Sequence, residues 1–233
     1  MNFDLRENNV VLLGDTHSYR YIYGIITNRP ALDGKDIIFL GDGGEDFPEL
    51  PLHATLLQRI NKQCKQRDIR LYWIRGNHSL PTIWTAGYEF SNLFLAPDYS
   101  TVTFPNGKKG LLVGGGISVD RITRVEGQDY WKYEITPYQK VEEKFTYLFS
   151  HDCPEYFNHS TDSLRGSRFS GFLRDDPTLL DEAFKQRLTL NKIVEDIKPK
   201  FIYSGHFHSS LSEEKFGIKY RCVDICETIL VEV

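Results

Sequence analysis

Five short apolar runs, each broken by polar residues, set the terms on which this 233-residue chain can fold. They read "NNVVLLGDTH", "KDIIFLGDGGED", "IRLYWIRGNHS", "KFTYLFSHDCP" and "PKFIYSGHFHS". Short runs rich in β-branched and aromatic residues, bounded by turn residues, read as strands buried on both faces. Between them lie two helix-like stretches, Leu52 to Gln66 and Asp176 to Lys198. In the second, Asp176 and Pro177 suit the N-cap and first helical position, and Pro199 marks the exit. In "STVTFPNGKKGLLVGGG", Asn106-Gly107 between two runs predicts a hairpin. The C-terminal "FGIKYRCVDICETILVEV" alternates well enough for one or two more strands, and Asn158 to Arg174 reads as a loop. The pattern is α/β. With no repeat, low-complexity tract or Pro/Gly/Ser-rich linker to divide the chain, residues 1–233 read as a single domain.

Composition removes several function classes. At 40% apolar and 26% charged, the chain has the balance of a soluble globular protein. A net charge of -4 argues against a dedicated duplex-binding protein. No apolar run reaches the length of a membrane span, so no membrane partner is expected. The opening "MNFDLRENNVVLLG" carries charges where a signal peptide needs an apolar stretch. The four cysteines (Cys64, Cys153, Cys222, Cys226) show neither zinc-ribbon spacing nor a disulfide framework, and Cys222 and Cys226 read as small buried residues. A reduced, cytoplasmic location is the expectation.

The polar breaks carry the chemistry. They hold Asp15 and His17, then Asp42, then Asn77 and His78, then His151, and last His206 and His208. Five of the seven histidines sit in these breaks; His53 and His159 do not. In an extended segment, His206 and His208 share a face, and two imidazoles so placed could serve one metal, two neighbouring metals, or none. A histidine after a strand is usually a satisfied turn residue. Five, with two aspartates and an asparagine, look like a metal site assembled at the carboxyl ends of strands, where open α/β sheets bind ligands. Nitrogen and oxygen donors without thiolate suit Mn, Fe, Zn, Co or Ni rather than a structural zinc. Seven candidate ligands exceed the needs of one ion, whereas a bridging carboxylate serves two ions economically.

In this order, D-x-H (Asp15, His17), G-D (Gly41, Asp42), G-N-H (Gly76, Asn77, His78), a lone histidine (His151) and G-H-x-H (Gly205, His206, His208) resemble the motifs of the calcineurin-like metallophosphoesterase superfamily. The resemblance runs from Asp15 to His208, nearly the whole chain. It implies a four-layer α/β/β/α sandwich with the metals at the strand ends. It further implies that Asp15, His17, Asp42 and His208 hold one divalent ion and that Asp42, Asn77, His151 and His206 hold the other, with Asp42 bridging. Manganese is the first choice for both, with zinc, iron and nickel as alternatives. His78 would be no ligand but the catalytic residue, a general acid facing the leaving group or a support for the phosphoryl group. An imidazole titrates intrinsically near about 6.5, which suits proton delivery at neutral pH. The implied nucleophile is a metal-bound hydroxide, since such ions lower a water's pKa from about 15.7 toward 7.

Three departures refine the resemblance. Ser79 stands where many members carry an acid after G-N-H. "GDGGEDF" replaces the G-D-x-x-D-R-G of protein Ser/Thr phosphatases, with Glu45 or Asp46 as the stand-in acid and no arginine, which argues against that type of phosphatase. "GGGISVDR", Gly114 to Arg121, resembles a strand end of phosphodiesterase-like members, although glycines there also serve simply to admit a turn or a neighbouring backbone. The reading is therefore a metal-dependent hydrolase of a phosphoester partner, leaning to diesters, with nucleotides or nucleic acid among the candidates. A phosphomonoesterase, an inactive scaffold on the same fold and a nucleic-acid-binding module are the alternatives; the complete ligand set weighs against the scaffold. Phosphate-binding candidates are Arg20, Arg121, Arg124, Arg165, Arg168 and Arg174, each also readable as a solvated surface arginine. Tyr130, Trp131 and Tyr133 could stack on a base, although packing accounts for them better.

Overall fold

The computed structural model describes residues 1–44, 50–157 and 170–232. Two sheets are built from strands β1 (Asn2–Asp4), β2 (Val11–Leu13), β3 (Asp36–Phe39), β4 (Arg70–Ile74), β5 (Leu93–Ala96), β6 (Ser100–Thr103), β7 (Lys109–Val113), β8 (Tyr147–Ser150), β9 (Phe201–Ser204), β10 (Leu211–Lys215), β11 (Ile218–Cys222) and β12 (Thr228–Leu230). One sheet has the order β12-β2-β3-β4-β5 and the other β1-β6-β7-β8-β9-β11-β10. The motif-bearing strands β2, β3 and β4 run parallel in the first, as do β8 and β9 in the second. Parallel pairing points all their carboxyl ends the same way, which gathers the polar breaks along one edge.

Period-two alternation divides each buried strand between two cores. Leu12, Ile38, Tyr72 and Ile74 face Leu112, Phe149 and Tyr203 in the core between the sheets. Their neighbours Val11, Leu13, Ile37, Phe39, Leu71 and Trp73 face outward, under helices α1 (Tyr19–Asn28) and α2 (Leu50–Gln66). On the far side, Leu111, Leu148 and Ile202 pack beneath Leu190, Ile193 and Ile197 of a long helix (Leu179–Ile197). The layering is α/β/β/α, as the resemblance implied.

Two local expectations are corrected. The long helix begins at Leu179 with Thr178 as N-cap, not at Pro177. The Asp176 carboxylate is drawn to Arg121 Nε at 2.6 Å, although its other oxygen still accepts from the Thr178 amide at 3.2 Å. At the end of the stretch read as a loop, Ser170–Asp175 is a short helix; after the short α3 (Pro81–Thr85) it is α4 and the long helix α5. The remainder of that loop, with Arg165 and Arg168, lies outside the described residues, as do Glu45, Asp46 and His159. The Asn106-Gly107 hairpin forms, with antiparallel β6 and β7 and the Gly107 amide donating to the Phe104 carbonyl at 2.8 Å. The C-terminal stretch supplies two strands, β11 and β12. Cys222 is buried and Cys226 half-buried, and none of the four cysteines is in a disulfide.

Candidate metal centre

The strand ends bring every candidate ligand to one place. Asp15 and His17 follow β2, Asp42 follows β3, Asn77 and His78 follow β4, His151 follows β8, and His206 and His208 follow β9. Asp15, Asp42, Asn77 and His151 are buried, while His17, His78, His206 and His208 are half-buried at the rim. Among the described residues, three sets of donor atoms converge: Asp15, His17 and His208; Asp42, His151 and His206; and His17, Asp42 and His78. Asp42 belongs to two of them.

The breaks are built to brace one another. The amides of Thr16 and His17 donate to the Asp42 carbonyl at 3.0 and 2.8 Å. The His206 amide donates to Asp15 Oδ2 at 3.0 Å, and the His78 amide to Asp42 Oδ1 at 3.0 Å. Such close approach explains the glycines in the motifs. A Cβ on Gly76 would lie 1.9 Å from Asp42 Oδ1, and one on Gly205 would lie 2.2 Å from Asp15 Oδ1. His17, Asp42, His206 and His208 have φ between 48° and 68°, in the left-handed region that non-glycine residues seldom adopt. Nine described non-glycine residues have positive φ, and four of them are candidate ligands; strained backbone of this kind recurs at functional sites.

On one side, His17 Nε2 and His208 Nε2 lie 2.7 Å apart, and His208 Nε2 is 3.2 Å from Asp15 Oδ2. Two ring nitrogens at that distance share one proton or one cation. On the other side, His151 Nε2 lies 2.9 Å from Asn77 Oδ1 and 3.3 Å from Asp42 Oδ2. His151 Nδ1 donates to the Leu40 carbonyl at 2.7 Å, which aims Nε2 at the site. Burial disfavours charge on Asp42, yet His151 and His78 together hold its carboxyl well below the usual range. Burial likewise opposes protonation of His151, but Asp42 and Asp15 lift it to about 10. Burial pushes His206 down to about 4, so it presents a neutral ring. The carboxylates thus demand positive charge at this edge, and a divalent ion would meet it by displacing protons from the histidines. The mixed imidazole, carboxylate and amide donors fit such an ion.

Around the centre is a cleft of about 240 Å³ whose lining includes His17, Asp42, Asn77, His78, Val119, Asp120, Phe172 and Phe207. His78 Nε2 lies 4.0 Å from Asp42 Oδ2 and 3.4 Å from Arg124 Nη2, while its buried Nδ1 has no partner among the described residues. Arg124 is paired with Asp120, Nε to Oδ1 at 2.8 Å and Nη2 to Oδ2 at 2.9 Å. The remaining arginine candidates sort cleanly. Arg121 is bound to Asp176, Glu182 and Thr178, and Arg174 pairs with its neighbour Asp175 at the surface. Arg20 is exposed in the first turn of α1. Trp131 packs against the α1/α2 core and Tyr133 is 82% exposed, so neither lines the cleft. His53, outside the motifs, is buried and bonded to the Tyr19 hydroxyl at 2.9 Å.

Three residues matter here that their motifs did not announce. Asp152, after His151, is fully buried and pairs with buried Arg187 of α5, Nε to Oδ1 at 3.3 Å, and the guanidinium lies 4.9 Å from the Phe207 ring. This ties the β8 and β9 tips to the helix layer. Buried Glu134 accepts from Ser118, as described below. A charged residue beside a motif histidine was the one available signal for Asp152; for Glu134 there was none.

A sequence profile of the calcineurin-like phosphoesterase family matches residues 9–210. No match is found among curated proteins. Among solved structures, the chain is similar to the cold-active protein-tyrosine phosphatase of a psychrophilic Shewanella species. That likeness has 14% identity and a TM-score of 0.41, over 99% of this chain and 77% of the other.

Proposed function

The chain belongs to the calcineurin-like phosphoesterase family, and on that premise we propose that it hydrolyses phosphodiesters with the help of two divalent ions, manganese first among them. The observation that supports this reading is that the converging donor sets are linked: Asp42 is common to the His151–His206 set and the His17–His78 set, and His17 is common to the latter and the Asp15–His208 set. Asp15, His17, Asp42 and His208 would hold one ion; Asp42, Asn77, His151 and His206 would hold the other. Such ions supply positive charge to phosphoryl oxygens and make a water acidic enough to attack at neutral pH.

The residues around them supply the rest. His78 presents Nε2 in the cleft, where it delivers a proton to the departing oxygen. Arg124, 3.4 Å from that nitrogen, orients a phosphoryl oxygen. The lean to diesters has a physical basis in Asp120. Although burial opposes it, the bonded Arg124 holds its carboxyl below the usual range, so the cleft carries a standing negative charge against the arginine. A dianionic monoester gains less from that half-neutralised cation than from a free one, whereas a monoanionic diester loses little. Val119, Phe172 and Phe207 offer apolar surface to a second ester group.

The test is hydrolysis of bis-p-nitrophenyl phosphate against p-nitrophenyl phosphate by metal-stripped protein reloaded with Mn²⁺, with Asp42→Asn as control. Preference for the diester, lost in the control, is the expected result. Preference for the monoester would overturn the diester reading while keeping the hydrolase.

A further inference from the structure

The Gly-rich strand end that follows β7 leads into Ser118, and Ser118 reaches the centre through hydrogen bonds of fixed direction. Its amide donates to Glu134 Oε1 at 3.0 Å and its hydroxyl to Glu134 Oε2 at 2.6 Å. Asn77 Nδ2 in turn donates to Ser118 Oγ at 2.8 Å, while Asn77 Oδ1 faces His151 Nε2 at 2.9 Å. All three residues are buried: Asn77 is 3% exposed, Ser118 1% and Glu134 3%. Glu134 is itself held in place, because the Arg75 guanidinium donates to its carbonyl at 2.7 Å and also pairs with Asp98 at 2.9 Å.

We propose that Ser118 and Glu134 are positioning residues which set the polarity of the Asn77 amide, so that its oxygen rather than its nitrogen faces the divalent ion shared with Asp42, His151 and His206. This rests on the two-ion reading above. A hydroxyl has one hydrogen, and here it is spent on Glu134 Oε2; above about pH 7, where that carboxyl is ionised, it accepts and does not donate. Ser118 Oγ is therefore left to accept, and the only group Asn77 can offer it is the NH₂. The amide oxygen is thereby turned toward the site.

In the metal-free protein a proton on His151 Nε2 also favours that orientation, since it needs an acceptor at Asn77. An ion on His151 removes that proton, and Ser118 with Glu134 becomes the constraint that persists. A reversed amide would put an NH₂ group, which has no lone pair for a cation, against the ion. The relay thus turns a neutral side chain into a ligand of determined sense.

Glu134→Gln tests the direction of the relay. An amide there satisfies the Ser118 amide with its oxygen and offers NH₂ to the Ser118 hydroxyl, freeing that hydroxyl to donate toward Asn77. Ser118→Ala removes the acceptor and serves as the second variant should the first not fold. Mn²⁺ binding to metal-stripped protein is followed by calorimetry at pH 8, above the Glu134 titration, for these variants, Asn77→Ala and the Asn77→Ala/Glu134→Gln double variant. One ion should bind about 10- to 100-fold more weakly in each single variant, with the other, on Asp15, His17 and His208, unchanged. The double variant should bind no more weakly than Asn77→Ala alone, because Glu134 acts through Asn77. Two ions bound at wild-type affinity in both Glu134→Gln and Ser118→Ala would overturn the proposal. Equal weakening of both ions, or additive losses in the double variant, would overturn it too. A wild-type protein that takes up one ion or none would overturn both this and the two-ion reading.

Discussion

At the scale of single residues, Asp42 and His78 divide the work between charge and proton. Asp42 is buried, held ionised by its histidines and shared between donor sets, so Asp42→Asn should abolish hydrolysis and cut the bound metal. Metal content and turnover measured on one preparation check both halves. His78 stands at the same edge but also beside Arg124, and its donor atoms converge with those of His17 and Asp42. His78→Asn should retain both ions and lower turnover by about 10²- to 10⁴-fold, most for esters with poor leaving groups. Metal lost along with His78 would make it a ligand and remove its role as acid. The candidate ligands were legible in the sequence because each must be a particular residue type at a particular break. Glu134 was not, since it lies in "WKYEIT" with no pattern around it and meets Asn77 only through Ser118.

At the scale of elements, the strand ends rather than the strands decide whether the site forms. The backbone after β4 passes so close to Asp42 that only a residue without a side chain fits, so Gly76→Ala should displace that carboxylate. Metal binding should collapse in that variant while circular dichroism still reports the native α/β content; unchanged metal affinity would show that the break tolerates a Cβ. Buried parallel strands were legible as apolar runs, and α2 and the β6–β7 hairpin followed from spacing and turn chemistry. The start of α5 was not, because Asp176-Pro177 has the form of a helix start but the carboxylate is held by Arg121 from a distant loop. Nor was α4, whose six residues are too few to display a helical period. In both cases tertiary contacts or short length removed the local signal that sequence reading depends on.

At the scale of the whole molecule, two sheets meet so that charge from both converges at one edge, and stability should record it. Burial pushes the Glu134 carboxyl up to about 7 from its ordinary 4.5, against the opposing bonds from Ser118. The folded state therefore keeps a proton that the unfolded chain releases, and folding stability falls as pH rises between those two values and levels off above them. In metal-free protein the decline should reach at most about 3 kcal/mol and be absent from Glu134→Gln, as denaturant titrations across pH 4.5–7 would show. The central claim concerns the edge itself, that two ions act together there. Its most direct test is a titration of metal-stripped protein with Mn²⁺, reading bound equivalents and hydrolysis of bis-p-nitrophenyl phosphate in the same samples. Hydrolysis should stay low through the first equivalent and rise as the second binds; full activity with one ion bound, or none despite two, would contradict the account.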